Sequence, residues 1–309
     1  MLQLSPDTAY YRGKVRDVYS QGDYIFIVVS DRISAFDVIL PAPIPYKGAV
    51  LNGISTFFLT ETRDLVPNWL IDTPNSHTAY GHLAPTIPIE VIVRGYISGS
   101  MWRAYEAGER IFCGNLLSDG LKNNQKLPKP IITPTTKASA GHDENTSEEE
   151  ILLKEIVSPE EWAKMKKYAL TLFQFGQDFA EKKNLILVDT KFEFGRKKDG
   201  QIILIDEILT PDSSRYFIAE SYLEKFRLGE NPSQLSKEFV RQWLLDHNFM
   251  GQADDLMPTM TSEWIHTISE RYIELYNRLI DLPFIKKSKE FNLLKIQDDY
   301  NAFFQKFYA

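Results

Sequence analysis

With a single cysteine, Cys113, among 309 residues, the chain cannot close an intramolecular disulfide. Its stability must come from a packed core, as expected of a protein in a reducing compartment. Histidine is scarce too. His77, His82, His142, His247 and His266 do not pair with one another, or with Cys113, at the short spacings of structural zinc sites. The Gly-rich loop ending in Gly-Lys-Ser/Thr and the Gly-x-Gly-x-x-Gly dinucleotide fingerprint are both missing, as are the protein-kinase signatures His-Arg-Asp and Asp-Phe-Gly. There is no long apolar run, and the opening Met1-Leu-Gln-Leu-Ser-Pro-Asp7 has no basic flank. Neither a signal peptide nor a membrane span is expected, which points to the cytoplasm. Basic excess is lacking as well. A formal net charge of -7 and a pI near 5.4 argue against wrapping a nucleic-acid backbone, though a few local cations suffice for a phosphorylated metabolite.

What is present is a globular composition, 43% apolar and 25% charged, enough to bury a core. Tyr24-Ile-Phe-Ile-Val-Val29 is a β-rich run after the turn-like Ser20-Gln-Gly-Asp23, and with Tyr10–Tyr19 before it predicts a hairpin. Ile89–Tyr96 reads as another strand. Residues 122–147, rich in proline and polar side chains and without a period, read as a long loop belonging to a site. Ser158-Pro-Glu-Glu161 is a capping box, and Trp162, Met165, Ala169, Leu172 and Phe179 follow at helical spacing as core. Further helices are expected over 233–247 and 262–281. Sheet-like sequence gives way to loops and helices near residue 112, which suggests one domain over 1–112 and a second over 113–309.

Leu185-Ile-Leu-Val-Asp-Thr-Lys-Phe-Glu-Phe-Gly195 carries the most chemistry. Side chains alternate along a strand, so Asp189, Lys191 and Glu193 share one face. Asp199-Gly200 is a hairpin signal before Gln201–Ile208. Taken as a two-residue turn, it sets Glu193 opposite Asp206. Two carboxylates facing each other repel, and a divalent cation between them removes the conflict. Oxygen-only ligands suit magnesium, with phosphates and water completing its shell. The alternative is an ordinary solvent-facing hairpin, and one slipped residue removes the pairing.

Other stretches suit anions. Arg12-Gly-Lys-Val-Arg-Asp17 puts Gly13, where a phosphate can approach the backbone, beside Lys14. Arg94-Gly-Tyr-Ile-Ser-Gly-Ser100 combines an arginine with flexible backbone and hydroxyls, and suits a phosphate monoester. Leu209-Thr-Pro-Asp-Ser-Ser-Arg215 presents hydroxyls, a carboxylate and an arginine in a turn. Ser30-Asp-Arg-Ile-Ser-Ala-Phe-Asp37 places polar groups at a strand end. Each also reads as an ordinary turn or strand edge.

In order, Gly13–Tyr19, Ser30–Asp37, Arg94–Ser100, Gly141-His-Asp-Glu-Asn145, Asp189–Gly195 and Asp206–Arg215 closely resemble the SAICAR synthetase family, over roughly residues 10–220, and the length resembles its longer members. The resemblance implies an α+β fold of two lobes: an antiparallel-sheet N-terminal lobe like a protein-kinase small lobe, and a larger α+β lobe, with ATP in the cleft. It implies the condensation of the carboxylated aminoimidazole ribonucleotide (CAIR) with L-aspartate to give SAICAR, ADP and phosphate, in a chain for which a monomer is plausible. It also implies roles. Gly13, Lys14, Val15 and Arg16 would hold ATP, with Glu90 and the stretch from Thr86 to Val91 at the adenine. Glu193 and Asp206 would hold Mg2+. Arg94, Ser100 and Arg215 would hold the ribonucleotide phosphate. Asp212, beside Ser214, would bind the substrate near its ribose or base, Lys191 would lie near the reacting carboxylate, and Lys191, Asp212 and Arg215 would be the catalytic residues. Asp31, Asp37, His142 and Asp143 would help position substrate. The rivals are a phosphotransferase that performs no ligation and a catalytically silent nucleotide-binding protein.

Overall fold

The computed structural model describes residues 2–136, 144–286 and 293–308. The chain forms two compact units, one from Met1–Glu61, Trp69–Ala84 and Lys237–Ala309, the other from Thr62–Asn68 and Pro85–Ser236. The division thus falls around residues 61–69, 84 and 236 rather than at a single break near residue 112, because the C-terminal helices return to the N-terminal strands.

The first unit begins with β1 (Ala9–Arg12), β2 (Arg16–Gln21), β3 (Tyr24–Val29), the short pair β4 (Ser34–Ala35) and β5 (Val38–Ile39), α1 (Lys47–Glu61), β6 (Leu70–Asn75) and β7 (Thr78–His82). The second holds β8 (Thr86–Tyr96), α2 (Gly99–Glu106), β9 (Ile111–Phe112), β10 (Asn115–Leu116), β11 (Lys126–Ile132), β12 (Thr135–Thr136), β13 (Glu144–Asn145), α3 (Glu148–Leu153), α4 (Pro159–Glu181), β14 (Leu185–Arg196), β15 (Ile202–Ile205), β16 (Ser214–Ile218) and α5 (Ala219–Leu228). The first unit is completed by α6 (Glu238–Asp246), α7 (Ser262–Ile280) and α8 (Leu293–Tyr308).

In the first unit an antiparallel sheet runs β1-β2-β3-β7-β6. Alternation along β3 separates its two faces. Phe26 and Val28 join Tyr19, Tyr80 and, from α8, Ile296, Tyr300, Phe303 and Phe304 in one apolar cluster. Helix α1 lies against β3 and α7. Its approach requires Gly48, where a Cβ would stand 2.4 Å from the Val29 carbonyl oxygen.

The second unit is built on a seven-stranded sheet with the path β13-β12-β8-β14-β15, where β11 also pairs β8 and β16 also pairs β14. Helix α4 packs on β14 and β8. It starts where the sequence indicates: Ser158 accepts from the Glu161 amide while Glu161 accepts from the Ser158 amide, with Pro159 at the first helical position. Trp162, Met165, Ala169, Leu172 and Phe173 are buried on it. Leu187 meets Gly176 of α4 and Phe194 meets Tyr168, an odd and an even position on one strand. The register irregularity between Leu187 and Asp189 accounts for this change of parity. It leaves Asp189, Lys191 and Glu193 on the face away from α4, and both faces of β14 are largely buried.

Two expectations change. The described parts of 122–147 are not one long loop: β11, β12 and β13 occupy much of them, residues 137–143 lie outside the described residues, and β11 tolerates Pro128 and Pro130 because among the described residues it pairs with β8 alone and breaks register between Lys126 and Ile131. The hairpin is also wider than a two-residue turn. Gln201 donates to the Asp199 carboxylate, Lys197 donates to the Gln201 carbonyl, and Glu193 pairs with Ile205 instead of Asp206.

Candidate active site

On the face of the second sheet away from α4 the register sets charged groups in two rows. Glu193 of β14 pairs with Glu90 of β8, and Asp189 pairs with Arg94 on one side and Arg215 on the other.

In the first row Lys191 donates to Glu90 Oε1 at 2.8 Å and is ion-paired with Glu193, while Thr135 Oγ1 donates to Glu90 Oε2 at 3.1 Å. Burial alone would lower the Lys191 ammonium. Glu193, Glu90 and Asp206 outweigh it and hold Lys191 well above its ordinary value. Asp206 therefore reaches this group although the assumed pairing is wrong. Its φ of 62° is left-handed, which ends β15 and turns the chain out of the ladder. Three carboxylates around one ammonium leave an excess of negative charge that a cation can balance. Among the described residues no three His, Cys, Asp or Glu side chains form a ready-made metal cage. Magnesium does not require one, since it commonly takes one or two carboxylates and completes its shell with phosphates and water.

In the second row Arg215 Nη1 donates to Asp189 Oδ2 at 2.6 Å, and Arg94 Nη1 reaches the same oxygen at 3.5 Å. Arg94 also donates to Thr133 Oγ1 at 2.8 Å and to Ser100 Oγ at 3.3 Å. All three charged side chains are buried. Burial lowers the Arg94 guanidinium from its ordinary value, with Asp189 opposing and Arg215 adding to the effect. Here the excess charge is positive. The start of α2 lies alongside, and its N-cap Ser98 makes no side-chain capping bond. Gly99, at φ +60°, fits because a Cβ would come within 2.7 Å of Arg215 Nη2. The amides at the start of a helix and two guanidiniums suit an anion.

The turn before β16 is tied to β14. Lys191 donates its amide to the Ser213 carbonyl at 2.9 Å, and Ser214 Oγ lies 2.7 Å from Thr190 Oγ1, on the face opposite Asp189 and Lys191. Asp212 is half-buried in that turn. A cavity of about 320 Å³ opens at the start of β8, walled by Pro85–Pro88, Ile156 and the cations Arg196, Lys197 and Lys198.

The first unit holds the remaining candidates. Gly13 donates to the Arg16 carbonyl at 2.8 Å, closing the β1–β2 turn that presents Lys14. Arg32 braces that turn: it donates to the Lys14 and Gly13 carbonyls and to Asp17 Oδ1 at 2.8 Å. The Val15 carbonyl accepts from Ser30. Lys14 is ion-paired with Asp37, which sits in the β4–β5 turn with Phe36, both at positive φ. Asp31 caps α1 by accepting from the Gly48 amide at 2.8 Å. His142 and Asp143 lie outside the described residues.

Sequence reading gave Asp189 no role and did not single out Thr133 or Thr135, and it set Glu90 at the adenine rather than among the carboxylates. Their signal is cross-strand register, which the single chain does not print. Only the alternation along β14 pointed at Asp189.

A family model described as SAICAR synthetase matches residues 9–256. The phosphoribosylaminoimidazole-succinocarboxamide synthase of Bacteroides fragilis (strain ATCC 25285) is 51% identical over 298 residues, covering 96% of this chain and 95% of that protein. The protein of the same name from Azobacteroides pseudotrichonymphae is 53% identical over 282 residues, 91% and 87% of the two chains. Among solved structures, the SAICAR synthase of Saccharomyces cerevisiae in complex with SAICAR superposes with a TM-score of 0.78 at 34% identity, over 92% of this chain and 98% of that one. A type-2 SAICAR synthetase in complex with ADP shares the fold, with a TM-score of 0.69 at 23% identity over 90% and 100%.

Proposed function

The chain belongs to the SAICAR synthetase family, and from that premise we propose that it catalyses ATP-dependent ligation of CAIR to L-aspartate in purine biosynthesis, releasing ADP and phosphate. The observation that carries this reading for the chain's own residues is the pair of oppositely charged rows on β14. A cation-seeking row at Lys191 and Glu193 lies two residues, about 7 Å along the strand, from an anion-seeking row at Asp189. One strand thus offers a place for a metal–nucleotide and a place for a phosphorylated substrate side by side.

A carboxylate is a poor acyl donor. Transfer of the γ-phosphoryl group of ATP to a CAIR carboxylate oxygen breaks the bond to the β-phosphate bridging oxygen, and ADP leaves. The aspartate amine then attacks the acyl carbon, the amine loses a proton, and phosphate departs. Such transfers depend on positioning and charge neutralisation. Lys14, with the backbone of Gly13 to Arg16, binds nucleotide phosphate. Glu193 and Asp206 would hold Mg2+, which neutralises phosphate charge when bound. Glu90 tethers Lys191 on the same face, and Lys191 stands near the reacting carboxylate. Arg94, Ser100 and Arg215 take the 5′-phosphate and Asp212 contacts the ribonucleotide, while Ser214, bonded to Thr190 on the opposite face, acts by fixing the turn that carries Asp212. Asp31 acts through the start of α1, and Asp37 through Lys14.

The test is ADP release by the purified protein with ATP, Mg2+ and CAIR, with and without L-aspartate. Aspartate-dependent ADP release matched by SAICAR formation is expected. ADP release that ignores aspartate, or no turnover, would overturn the ligase reading.

A further inference from the structure

The second row brings two positive charges to one negative charge. A buried arginine is satisfied by one carboxylate with good geometry, and a second buried guanidinium on the same carboxylate oxygen adds repulsion between the two cations. Yet Arg94 and Arg215 converge on a single oxygen, Asp189 Oδ2, from the two strands that flank β14. The plane of Arg94 is fixed a second time, at Nε, by the almost fully buried hydroxyl of Thr133. Phe112 covers the guanidinium, its ring centroid 5.9 Å from Cζ.

We propose that Asp189 and Thr133 are positioning residues for recognition of the substrate's 5′-phosphate: Asp189 holds two guanidiniums together at a net charge of about +1, and Thr133 sets the rotation of one of them. The inference rests on the reading that Arg94 and Arg215 take that phosphate. With Asp189 present, the two cations stay close in the resting protein, and an arriving dianionic monoester meets a preorganised pair. Without the carboxylate they repel and separate, and binding must first bring them back. The penalty falls on substrates that carry the phosphate, because only they need both arginines at once. A purely architectural Asp189 would instead damage every substrate alike.

The experiment compares CAIR with its 5′-dephosphorylated ribonucleoside, measuring kcat and KM for each together with KM for ATP, in wild type, D189N, D189E, T133V and R94A. For D189N we expect KM for the ribonucleotide to rise about tenfold or more, with kcat/KM for the ribonucleoside and KM for ATP close to wild type. D189E should recover part of the loss, and T133V should show a smaller rise of the same selectivity. Equal losses on both substrates, or an unchanged KM for the ribonucleotide, would overturn the proposal. If D189N fails to fold, T133V decides by the same criterion. R94A separates the two levels: if it leaves the preference for the ribonucleotide intact, the phosphate reading itself falls. If R94A abolishes the preference while D189N and T133V keep it, only the positioning role falls.

Discussion

Replacing Glu193 by Gln removes one charge from the Lys191 row and keeps the shape. The side chain is buried, paired with Lys191 and opposite Glu90. Lys191 keeps Glu90 at 2.8 Å, so the loss of stability is that of one charged hydrogen bond, about 1.5–3 kcal/mol. For a chain of this length that corresponds to a fall in Tm of about 2–5 °C. The effect on magnesium is larger. At the effective dielectric typical of such sites, a carboxylate 4 Å from a doubly charged ion contributes about 8 kcal/mol, and desolvation of the two groups offsets roughly half of it, leaving about 4 kcal/mol, close to a thousandfold in affinity. Asp206 and the nucleotide phosphates remain, so the half-saturating free Mg2+ should rise by about 100- to 1,000-fold. The assay is initial rate against free Mg2+ at saturating ATP, CAIR and aspartate, accompanied by thermal unfolding. An activation curve superimposable on wild type, in a variant that still folds, would refute the assignment of Glu193 to the metal.

Lys191 also predicts a pH signature. Its folded pKa lies above the ordinary 10.5, so its stabilisation is complete below that pH and is lost as pH rises through the folded value. The stability gap between wild type and E193Q, measured by urea unfolding, should be constant near neutrality and narrow above about 10.5; a gap that widens there contradicts the pairing. Gly99→Ala puts a Cβ within 2.7 Å of Arg215 Nη2 at a positive φ and should raise KM for CAIR more than KM for ATP in steady-state kinetics. Phe303→Ala, which opens the cluster beneath α8, should destabilise the protein by about 3–5 kcal/mol in chemical denaturation without changing the ratio of the two KM values.

The capping box at Ser158 and the core stripe of α4 were legible because a helix is specified locally, within four residues of each point. The charged face of β14 was legible for the same reason, since alternation needs no partner. What failed was whatever a partner decides. The Asp199 carboxylate closes its own small turn on Gln201, so the loop takes in an extra residue and the pairing slips. Pro128 and Pro130 argued for a loop, but they sit in a strand that, among the described residues, pairs with β8 alone. The Arg94–Asp189–Arg215 row spans 122 positions of chain and exists only once three strands are in register. The ordered motifs identified the family before any of these contacts were known, yet motif order says nothing about which oxygen two arginines share.

The first unit's three separated stretches bear on how the protein is made. A ribosome delivers β1, β2 and β3 early, but α8, which covers Phe26, Val28 and Tyr80, is made only after the whole of residues 85–236. Those residues, nearly the whole of the second unit, emerge in one continuous pass and can close while synthesis continues. Until α8 leaves the exit tunnel, the sheet of the first unit keeps an aromatic face open to water, where chaperones or neighbouring nascent chains can reach it. A truncation that removes α8 should therefore be felt less as lost catalytic residues than as a half-finished sheet that aggregates.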